Sequence, residues 1–445
     1  MKMKLTKLEK SWVMYDISNS AFTLLVSTLI PIYFNYLANK QSISNVECLA
    51  YWGYAASIAT IIVAVIGPVL GTISDSKGYK RPIFMVAILI GTVCCGFLGL
   101  ISEWMPFLIV FIIARIAYSS SLIFYDSMLI DVTTEERMDY VSSQGFAWGY
   151  IGSCLPFIAC LALVLGADYI GLGFELAMII VFFIIAVWWY VLSLPLLRRY
   201  KQKNYVERKG STIVSSFSRL HSAIRNIRKE KSIFLFLLAF FFYIDGVYTI
   251  IEMATSYGKA MGLDSNGLLL ALLVTQFVAF PCTILFGRLV RRFASDKLIT
   301  VCILSYLGIV IFAMFMRTQL HFWILAVLVG MFQGGIQSLS RSYFAKIIPS
   351  DKAGEYFGIL DICGKGASFL GTMVVGVVSQ ATGNISIGVG AIAIFFVIGI
   401  VLFRKATAVQ KASEDDQDIV RSENDNGNGN ELSISEVIIP VGEVV

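Results

Sequence analysis

Charged side chains are scarce in this sequence, since Asp, Glu, Lys and Arg together make up only 15% of its 445 residues. A water-soluble domain usually carries about 25% charged residues. Only two histidines occur, and the eight cysteines show neither disulfide nor metal-site spacing. Neither a nucleophile elbow nor a phosphate-binding loop is present. These shortages argue against a soluble enzyme, and we expect no enzymatic activity, no cofactor and no metal.

Apolar residues are abundant instead, at 57% of the chain, and the mean hydropathy is +0.76. A bilayer core about 30 Å thick is crossed by roughly 20 apolar residues in a helix, so a chain of this length accommodates about twelve crossings. The sequence therefore predicts an all-α membrane protein with twelve transmembrane helices, numbered 1 to 12 below. They are predicted at residues 11–37, 51–72, 83–101, 106–125, 144–165, 174–197, 233–257, 268–287, 298–316, 322–340, 356–379 and 385–403.

Basic residues collect in alternate connections between these runs. Four lysines precede helix 1, three bases separate helices 2 and 3, and residues 198–231 hold eleven Lys or Arg against two acids. Because basic loops stay in the cytoplasm, both termini and the connection between helices 6 and 7 are predicted to be cytoplasmic. We expect an integral protein of the plasma or inner membrane, or of the vacuolar membrane in a eukaryote.

The basic connection divides the chain into two six-helix bundles, 1–197 and 233–405, joined by a linker at 198–232. Gly71 and Gly287 end equivalent helices 216 residues apart, and Glu136 and Gly354 precede equivalent helices 218 residues apart. These offsets predict a duplicated six-helix unit. The second copy lacks an acid corresponding to Asp75, which suggests an asymmetric contact between the halves.

The composition of residues 406–445 shifts towards Glu, Asp, Asn, Gly and Ser, which predicts a disordered acidic tail. The net charge of +5 does not indicate nucleic-acid binding, because the bases lie in loops and not along helix faces. The expected partners are the lipid bilayer, a small-molecule solute and protons, and we expect a monomer.

Six ionisable residues remain inside the predicted helices. At roughly 3 kcal/mol each, they would cost on the order of 18 kcal/mol if they faced lipid. They are therefore expected to face a hydrated cavity or one another. These residues are Asp16, Arg115, Asp245, Glu252, Asp361 and Lys365.

Two of these acids lie on helix 7. Asp245 is predicted about 18 Å into the helix, near the bilayer midplane, and Glu252 follows seven residues later on the same face. A carboxyl in a poorly hydrated cavity can load and release a proton as access alternates, which makes both residues candidates for proton coupling. The alternative is a fixed ion pair with Arg115 or Lys365.

Helices 10 and 11 carry further polar residues. Asp361 precedes Lys365 by four positions, so the two can neutralise each other within the helix, or Lys365 can contact the solute. Gln333, Gln337 and Arg341 follow at four-residue intervals along one face of helix 10. Such a stripe fits a cavity wall, although it could equally bond to neighbouring helices.

Several motifs resemble those of the major facilitator superfamily of transporters. The connection Gly71-x3-Asp75-x2-Gly78-x-Lys80-Arg81 looks like its signature loop, and Arg115 occupies the place of its helix 4 arginine. Three more motifs resemble the vacuole-effluxer-like branch: Tyr15-Asp16-x-x-Asn19-Ser20, Gln337-x-Leu339-Ser340-Arg341-Ser342, and Glu355-x-Phe357-Gly358 followed by Gly364-Lys365. The sequence departs from that branch at Ile17, Ser18 and Thr372.

The resemblance implies that helices 1, 4, 7 and 10 surround a central cavity and that the two halves rock to alternate access. Together with the embedded charges, it predicts a solute and proton cavity lined by Asp16, Asn19, Arg115, Asp245, Glu252, Gln333, Gln337 and Lys365. It also implies a cytoplasmic gate, in which Asp75 is the latch. The predicted gate residues are Gly71, Asp75, Gly78, Lys80, Arg81, Arg341 and Asp361.

The sequence thus predicts a secondary active transporter for a small polar solute. Because fungal proteins that resemble this branch export amino acids from vacuoles, amino-acid export with proton coupling is the finer hypothesis. One alternative is a proton-coupled exporter of amphipathic compounds, which a mostly aromatic cavity would favour. Another is a non-transporting membrane scaffold or sensor that acts through the linker and the tail.

Overall fold

A computed structural model describes residues 4–207, 225 and 227–431. It contains twelve helices that are long and apolar enough to cross a membrane. The predicted all-α fold is confirmed, and 86% of the structure is helical. The predicted number of spanning helices is therefore confirmed for the described part of the chain.

The first six spanning helices form the N-terminal half. Helix 1 is interrupted at Thr28, whose backbone leaves the helical conformation, and it continues from Leu29. A single helical turn, Leu129–Val132, separates helices 4 and 5. The helices are Lys7–Ser27 with Leu29–Lys40, Asn45–Ser74, Lys80–Leu98, Trp104–Ser127, Glu135–Gly166 and Phe174–Arg199.

The second six form the C-terminal half. They are Lys231–Ala260, Ser265–Leu289, Ser295–Met314, Gln319–Ile347, Ala353–Thr382 and, in two segments, Ile385–Ala391 with Ala393–Glu431. Several helices exceed the predicted apolar runs, because a run reports the thickness of the lipid and not the length of the helix. Helix 5 begins nine residues before the predicted residue 144, and helix 10 ends seven residues after residue 340.

Each half is held together by apolar helix faces. In the N-terminal half helix 1 packs against helices 5 and 6, and helix 4 packs against helices 2 and 3. In the C-terminal half helix 7 packs against helices 11 and 12, and helix 10 packs against helices 8 and 9. The halves meet along two equivalent seams, helix 2 with helix 11 and helix 5 with helix 8. This arrangement agrees with the predicted duplication.

Glycines permit the close approach at both seams. A methyl group at Gly71 would overlap the carbonyl oxygen of Gly354, and one at Gly287 would lie 2.7 Å from the Cβ of Ser143. Small residues let helix backbones approach closely in a membrane, where no water is available to drive apolar faces together. Gly71 and Gly287 therefore have equivalent packing roles in the two halves.

The start of the linker packs on the N-terminal half. Asp131, which is buried, accepts hydrogen bonds from the hydroxyl of Tyr200, from the backbone N–H groups of Lys203 (3.2 Å) and Asn204 (2.9 Å), and from the Asn204 side chain (2.9 Å). Val206 N–H donates to the carbonyl oxygen of Asp75 at 2.8 Å. We call residues 200–206 the strap, and the side of the bundle on which they lie the linker face.

The C-terminal end differs from the sequence-based prediction. Composition predicts disorder from residue 406, whereas helix 12 continues through Glu431. Residues 432–445 of the predicted tail, and residues 208–224 and 226 of the predicted linker, lie outside the described part.

Candidate functional site

Arg341, near the end of helix 10, inserts its side chain into the N-terminal half and is only 6% exposed. Its Nη2 lies 3.2 Å from Asp16 Oδ2 on helix 1, and its Nη1 lies 3.0 Å from Asp126 Oδ1 on helix 4. Nε donates to Ser142 Oγ at 2.9 Å, and Nη2 also donates to the Ser142 carbonyl at 3.1 Å on helix 5. One guanidinium thus joins helix 10 to three helices of the other half.

Three aromatic rings surround the same guanidinium. Its Cζ lies 4.6 Å from the ring centre of Trp12, 5.4 Å from that of Tyr125 and 4.3 Å from that of Phe146. The rings of Trp12 and Tyr125 are themselves stacked, with centres 4.4 Å apart. We call Trp12, Asp16, Tyr125, Asp126, Ser142 and Phe146 the guanidinium cage. All six belong to the N-terminal half.

Helix periodicity builds the cage. Trp12 and Asp16 are one turn apart on helix 1, and Ser142 and Phe146 are one turn apart on helix 5. Between the two helices lies Gly145, where a methyl group would come within 2.9 Å of the Trp12 ring and 3.1 Å of Arg341 Nη2. Helices 1 and 5 can therefore clasp the guanidinium only because position 145 has no side chain.

At the helix 2 to 11 seam, Asp75 ties the halves together. Its Oδ1 accepts the N–H of Gly354 at 2.8 Å, and its Oδ2 accepts the N–H of Glu355 at 2.9 Å, both in the first turn of helix 11. An anion is favoured there because the helix dipole leaves partial positive charge at the N-terminus. Lys80 Nζ lies 3.4 Å away. Burial raises the pKa of Asp75, although Lys80 and the two N–H groups act in the opposite direction.

The other predicted members of this loop lie beside Asp75. Gly78 has a backbone φ of +79°, which favours glycine, and its N–H donates to the side-chain oxygen of Gln202 in the strap at 3.0 Å. Lys80 is buried against Asp75, whereas Arg81 is exposed on the same face. The structure thus places Gly71, Asp75, Gly78 and Lys80 together at the seam.

Beside the helix 5 to 8 seam another acid joins the halves, through donors on helices 9 and 10. Asp139, near the start of helix 5, accepts hydrogen bonds from Ser342 Oγ (2.6 Å) and Ser295 Oγ (2.7 Å), and it forms an ion pair with Lys346 (2.5 Å). All three donors belong to the C-terminal half. The second loop copy lacks an aspartate, as the sequence indicates, but its loss is compensated by an acid on the facing helix. Asp139 was not predicted as a site residue, because it lies before the apolar run predicted to begin at residue 144.

These contacts all lie at the linker face, and together they hold the two halves closed there. Asp16, which was predicted to line the cavity, lies in the cage with Arg341. Asp361, which was predicted in the gate, pairs with Lys365 on its own helix, one of the two arrangements expected for Lys365. Asp126 was missed altogether, because the predicted helix 4 ended one residue before it.

Away from the linker face, charged groups from both halves converge. Arg115 of helix 4 and Glu252 of helix 7 belong to different halves and lie within electrostatic range of each other. Tyr248 of helix 7 lies within electrostatic range of Asp126, Asp361 and Glu252. The side chains of Asp361 and Lys365 are 18% and 21% exposed, and Glu252 is exposed. We call this region the interior.

Asp245 lies behind the interior, between helices 7 and 11. It is completely buried, and its Oδ1 accepts the N–H of Gly371 at 2.9 Å and the hydroxyl of Thr249 at 3.2 Å. Its Oδ2 has no hydrogen-bond partner among the described residues. The structure describes no ion pair between Asp245 and Arg115 or Lys365 within residues 4–207, 225 and 227–431. For Asp245 it therefore gives no support to the fixed-pair alternative.

The remaining predicted cavity residues differ in their surroundings. Gln337 accepts a hydrogen bond from Tyr150 of helix 5 at 2.5 Å, so it bridges the halves. Gln333 is 3% exposed on the same helix. Asn19 is also buried, and its amide donates to the Tyr15 carbonyl of its own helix at 2.9 Å. Among the described residues, no cluster of three His, Cys, Asp or Glu could hold a metal ion.

The sequence matches the family model described as "Vacuole effluxer Atg22 like" over residues 6–133 and 131–417. The chain belongs to this family. It is 42% identical to the uncharacterized MFS-type transporter YxiO of Bacillus subtilis, over 90% of this chain and 95% of that protein. It is 21% identical to autophagy-related protein 22 of Kluyveromyces lactis, over 88% and 79% of the two chains. The match to the Coccidioides immitis protein of the same name spans only 48% of that relative.

Solved structures show the same fold. The human organic anion transporter MFSD10 (TETRAN) aligns with a TM-score of 0.69 at 12% identity, over 89% of this chain and 99% of that chain. FucP in the outward conformation aligns with a TM-score of 0.67 at 15% identity, over 90% and 97%. The major facilitator fold is therefore confirmed, and the chain is an integral membrane protein of the major facilitator transporter type.

Proposed function

We propose that this member of the Atg22-like family is a secondary active transporter that moves a small zwitterionic solute, such as an amino acid, by alternating access. The observation that carries the proposal is that Arg115 of one half and Glu252 of the other lie within electrostatic range of each other in the interior. A cation and an anion on opposite walls of one interior can receive the carboxylate and the ammonium group of such a solute. Binding would then draw the halves together, as alternation requires.

An excess of acids supports proton coupling. The guanidinium cage with Arg341, the interior and the site behind it together hold eight ionisable groups, of which five are acids and three are bases. The acids are Asp16, Asp126, Asp245, Glu252 and Asp361, and the bases are Arg115, Arg341 and Lys365. Because an unpaired charge is costly in a low-dielectric environment, the excess carboxyls favour uptake of protons or of a cationic group. Asp245 is our candidate for the coupling site, because one of its buried oxygens lacks a partner.

The direction and location of transport rest on the sequence and the relatives. The basic linker and N-terminus support a cytoplasmic linker face. The relatives are described as vacuole effluxers, which supports export, and the bacterial relative supports a plasma-membrane location. We propose that the protein acts as a monomer, since each half finds its interdomain partner within the same chain.

The test is flux in proteoliposomes that contain the purified full-length protein. Radiolabelled amino acids should accumulate when a pH gradient is imposed, and empty liposomes should show only leakage. Ethidium and a neutral sugar serve as comparison solutes. Flux of ethidium without flux of any amino acid would replace this proposal with the exporter of amphipathic compounds, and absence of all flux would contradict transport.

A further inference from the structure

The guanidinium cage is a complete recognition site that belongs to one half and is occupied by a residue of the other. Its two carboxylates, the hydroxyl and carbonyl of Ser142 and three aromatic rings all contact the Arg341 guanidinium. Carboxylates match the planar N–H fork of a guanidinium, and aromatic faces attract its charge. The contacts therefore select this group by its shape as well as by its charge.

Alternating access requires the cage to lose this occupant. The linker face can open only if helix 10 separates from helices 1, 4 and 5, and Arg341 then leaves with helix 10. Asp16 is 6% exposed in the closed state, and Asp126 contacts the same guanidinium. Departure of Arg341 leaves both carboxylates without their cation, so another cation that enters the opened cleft can take its place.

The aromatic rings indicate whether a proton or an organic cation takes the place of Arg341. Protonation would neutralise the carboxylates, but a carboxylic acid gains nothing from three ring faces. An organic cation with N–H groups is stabilised by the rings and by the carboxylates, since the rings interact with its charge and the carboxylates accept its N–H groups. The Asp126 side chain is 29% exposed and lies within electrostatic range of Tyr248 in the interior, so we infer that a solute reaches the cage past Asp126.

We propose that the guanidinium cage binds the guanidinium group of a transported solute, which takes the place of Arg341 when the linker face opens. The inference rests on the proposed transport function and narrows its substrate class to solutes of the arginine or agmatine type. Arg341 is then an intramolecular competitor, and exchange between it and the solute couples binding to opening.

The first test uses full-length Arg341→Ala, in which the cage lacks its occupant. Methylguanidinium is the probe, and its binding is measured by isothermal titration calorimetry on protein in nanodiscs. We expect it to bind Arg341→Ala at least tenfold more tightly than the wild type, and we expect binding to be lost in Asp16→Asn/Arg341→Ala. Absence of binding to a monodisperse, folded Arg341→Ala protein would overturn the inference.

The second test uses the wild-type cage and remains informative if Arg341→Ala does not fold. L-Arginine should inhibit the uptake of a radiolabelled amino acid into proteoliposomes at least tenfold better than L-citrulline. Citrulline has a similar shape but an uncharged ureido group. Phe146→Leu should reduce this preference, whereas the matched variant Phe277→Leu, which removes a ring 49% exposed on helix 8, should retain it. Equal competition by the two solutes would overturn the inference, yet persistent flux of other amino acids would leave the proposed transport function intact.

Discussion

Asp139 of helix 5 and Lys346 of helix 10 form an ion pair, 2.5 Å long, between the two halves of the protein. Asp139 also accepts hydrogen bonds from two serine hydroxyls of the C-terminal half. Asp75 lies at the end of helix 2, which corresponds to the end of helix 8 in the duplicated unit. Asp139 lies instead on helix 5, the helix that faces helix 8. The two seams therefore use different parts of the repeated unit to form similar contacts.

Disrupting this pair should weaken the closed linker face. Asp139→Ala removes the acceptor of Lys346 and Ser295, whereas the Ser342 hydroxyl keeps backbone acceptors on its own helix, so we expect a loss of about 1–3 kcal/mol from the closed state. The thermal midpoint of the purified protein should fall, and Lys346→Gln should lower it less. The exchanged pair Asp139→Lys/Lys346→Asp should recover part of the loss, and a double variant no better than the sum of the single ones would argue against a direct interaction.

Adding a methyl group at the other seam should separate the halves. In Gly71→Ala the new methyl overlaps the backbone of Gly354, which cannot move without shifting helix 11. We expect a larger spacing between spin labels on helices 2 and 11 at the linker face, measured by double electron–electron resonance. Gly53→Ala on the same helix is the control, because nothing lies within 4 Å of its added methyl. An unchanged spacing in Gly71→Ala would show that this contact does not set the closure.

Asp131 should hold the strap against the N-terminal half. Asp131→Ala removes the acceptor of four hydrogen bonds, three of which involve Lys203 and Asn204. Donors left unsatisfied cost about 1–3 kcal/mol each when they stay buried, so we expect the strap to detach and expose them to water. Trypsin should then cleave after Lys203 several-fold faster. Glu207→Gln is the control, because its contact with Lys77 is exposed and 3.9 Å long, and similar cleavage rates in both variants would contradict the assignment.

Asp245→Asn should separate proton coupling from solute movement. The amide keeps an oxygen for the Gly371 N–H but cannot exchange a proton, so pH-driven uptake into proteoliposomes should stop while solute exchange continues. Asp351→Asn, which alters an exposed aspartate outside the interior, should affect neither. Undiminished pH-driven uptake in Asp245→Asn would remove this residue from the coupling role.

Much of the fold could be predicted from the sequence, because hydropathy and basic loops respond directly to the bilayer. The helix ends were less accurate, and the errors mattered at the linker face. Asp126 and Asp139 lie just outside the predicted apolar runs, so they were not recognised as interdomain ligands. The pairing of Arg341 with Asp16 could not be predicted either, because it depends on how closely helices 1 and 5 approach at Gly145.

The surroundings of Asp245 show a second limit. Periodicity places this residue on helix 7 but does not show which neighbour covers it. The buried contact with Gly371 depends on the packing of helix 11, where a methyl group at Gly371 would overlap Asp245 and Thr249. Sequence patterns identify residues that are costly in lipid, whereas their partners are determined by tertiary packing.

The acceptors at the linker face have a consequence for the evolution of the duplicated unit. Asp16, Asp75, Asp126 and Asp139 all belong to the N-terminal half, and the interdomain donors described for them all belong to the C-terminal half. Two N-terminal halves would bring like charges together at this surface, so self-association of this half is disfavoured. The descendants of a repeated bundle have thus become complementary, and each recognises its counterpart instead of another copy of itself.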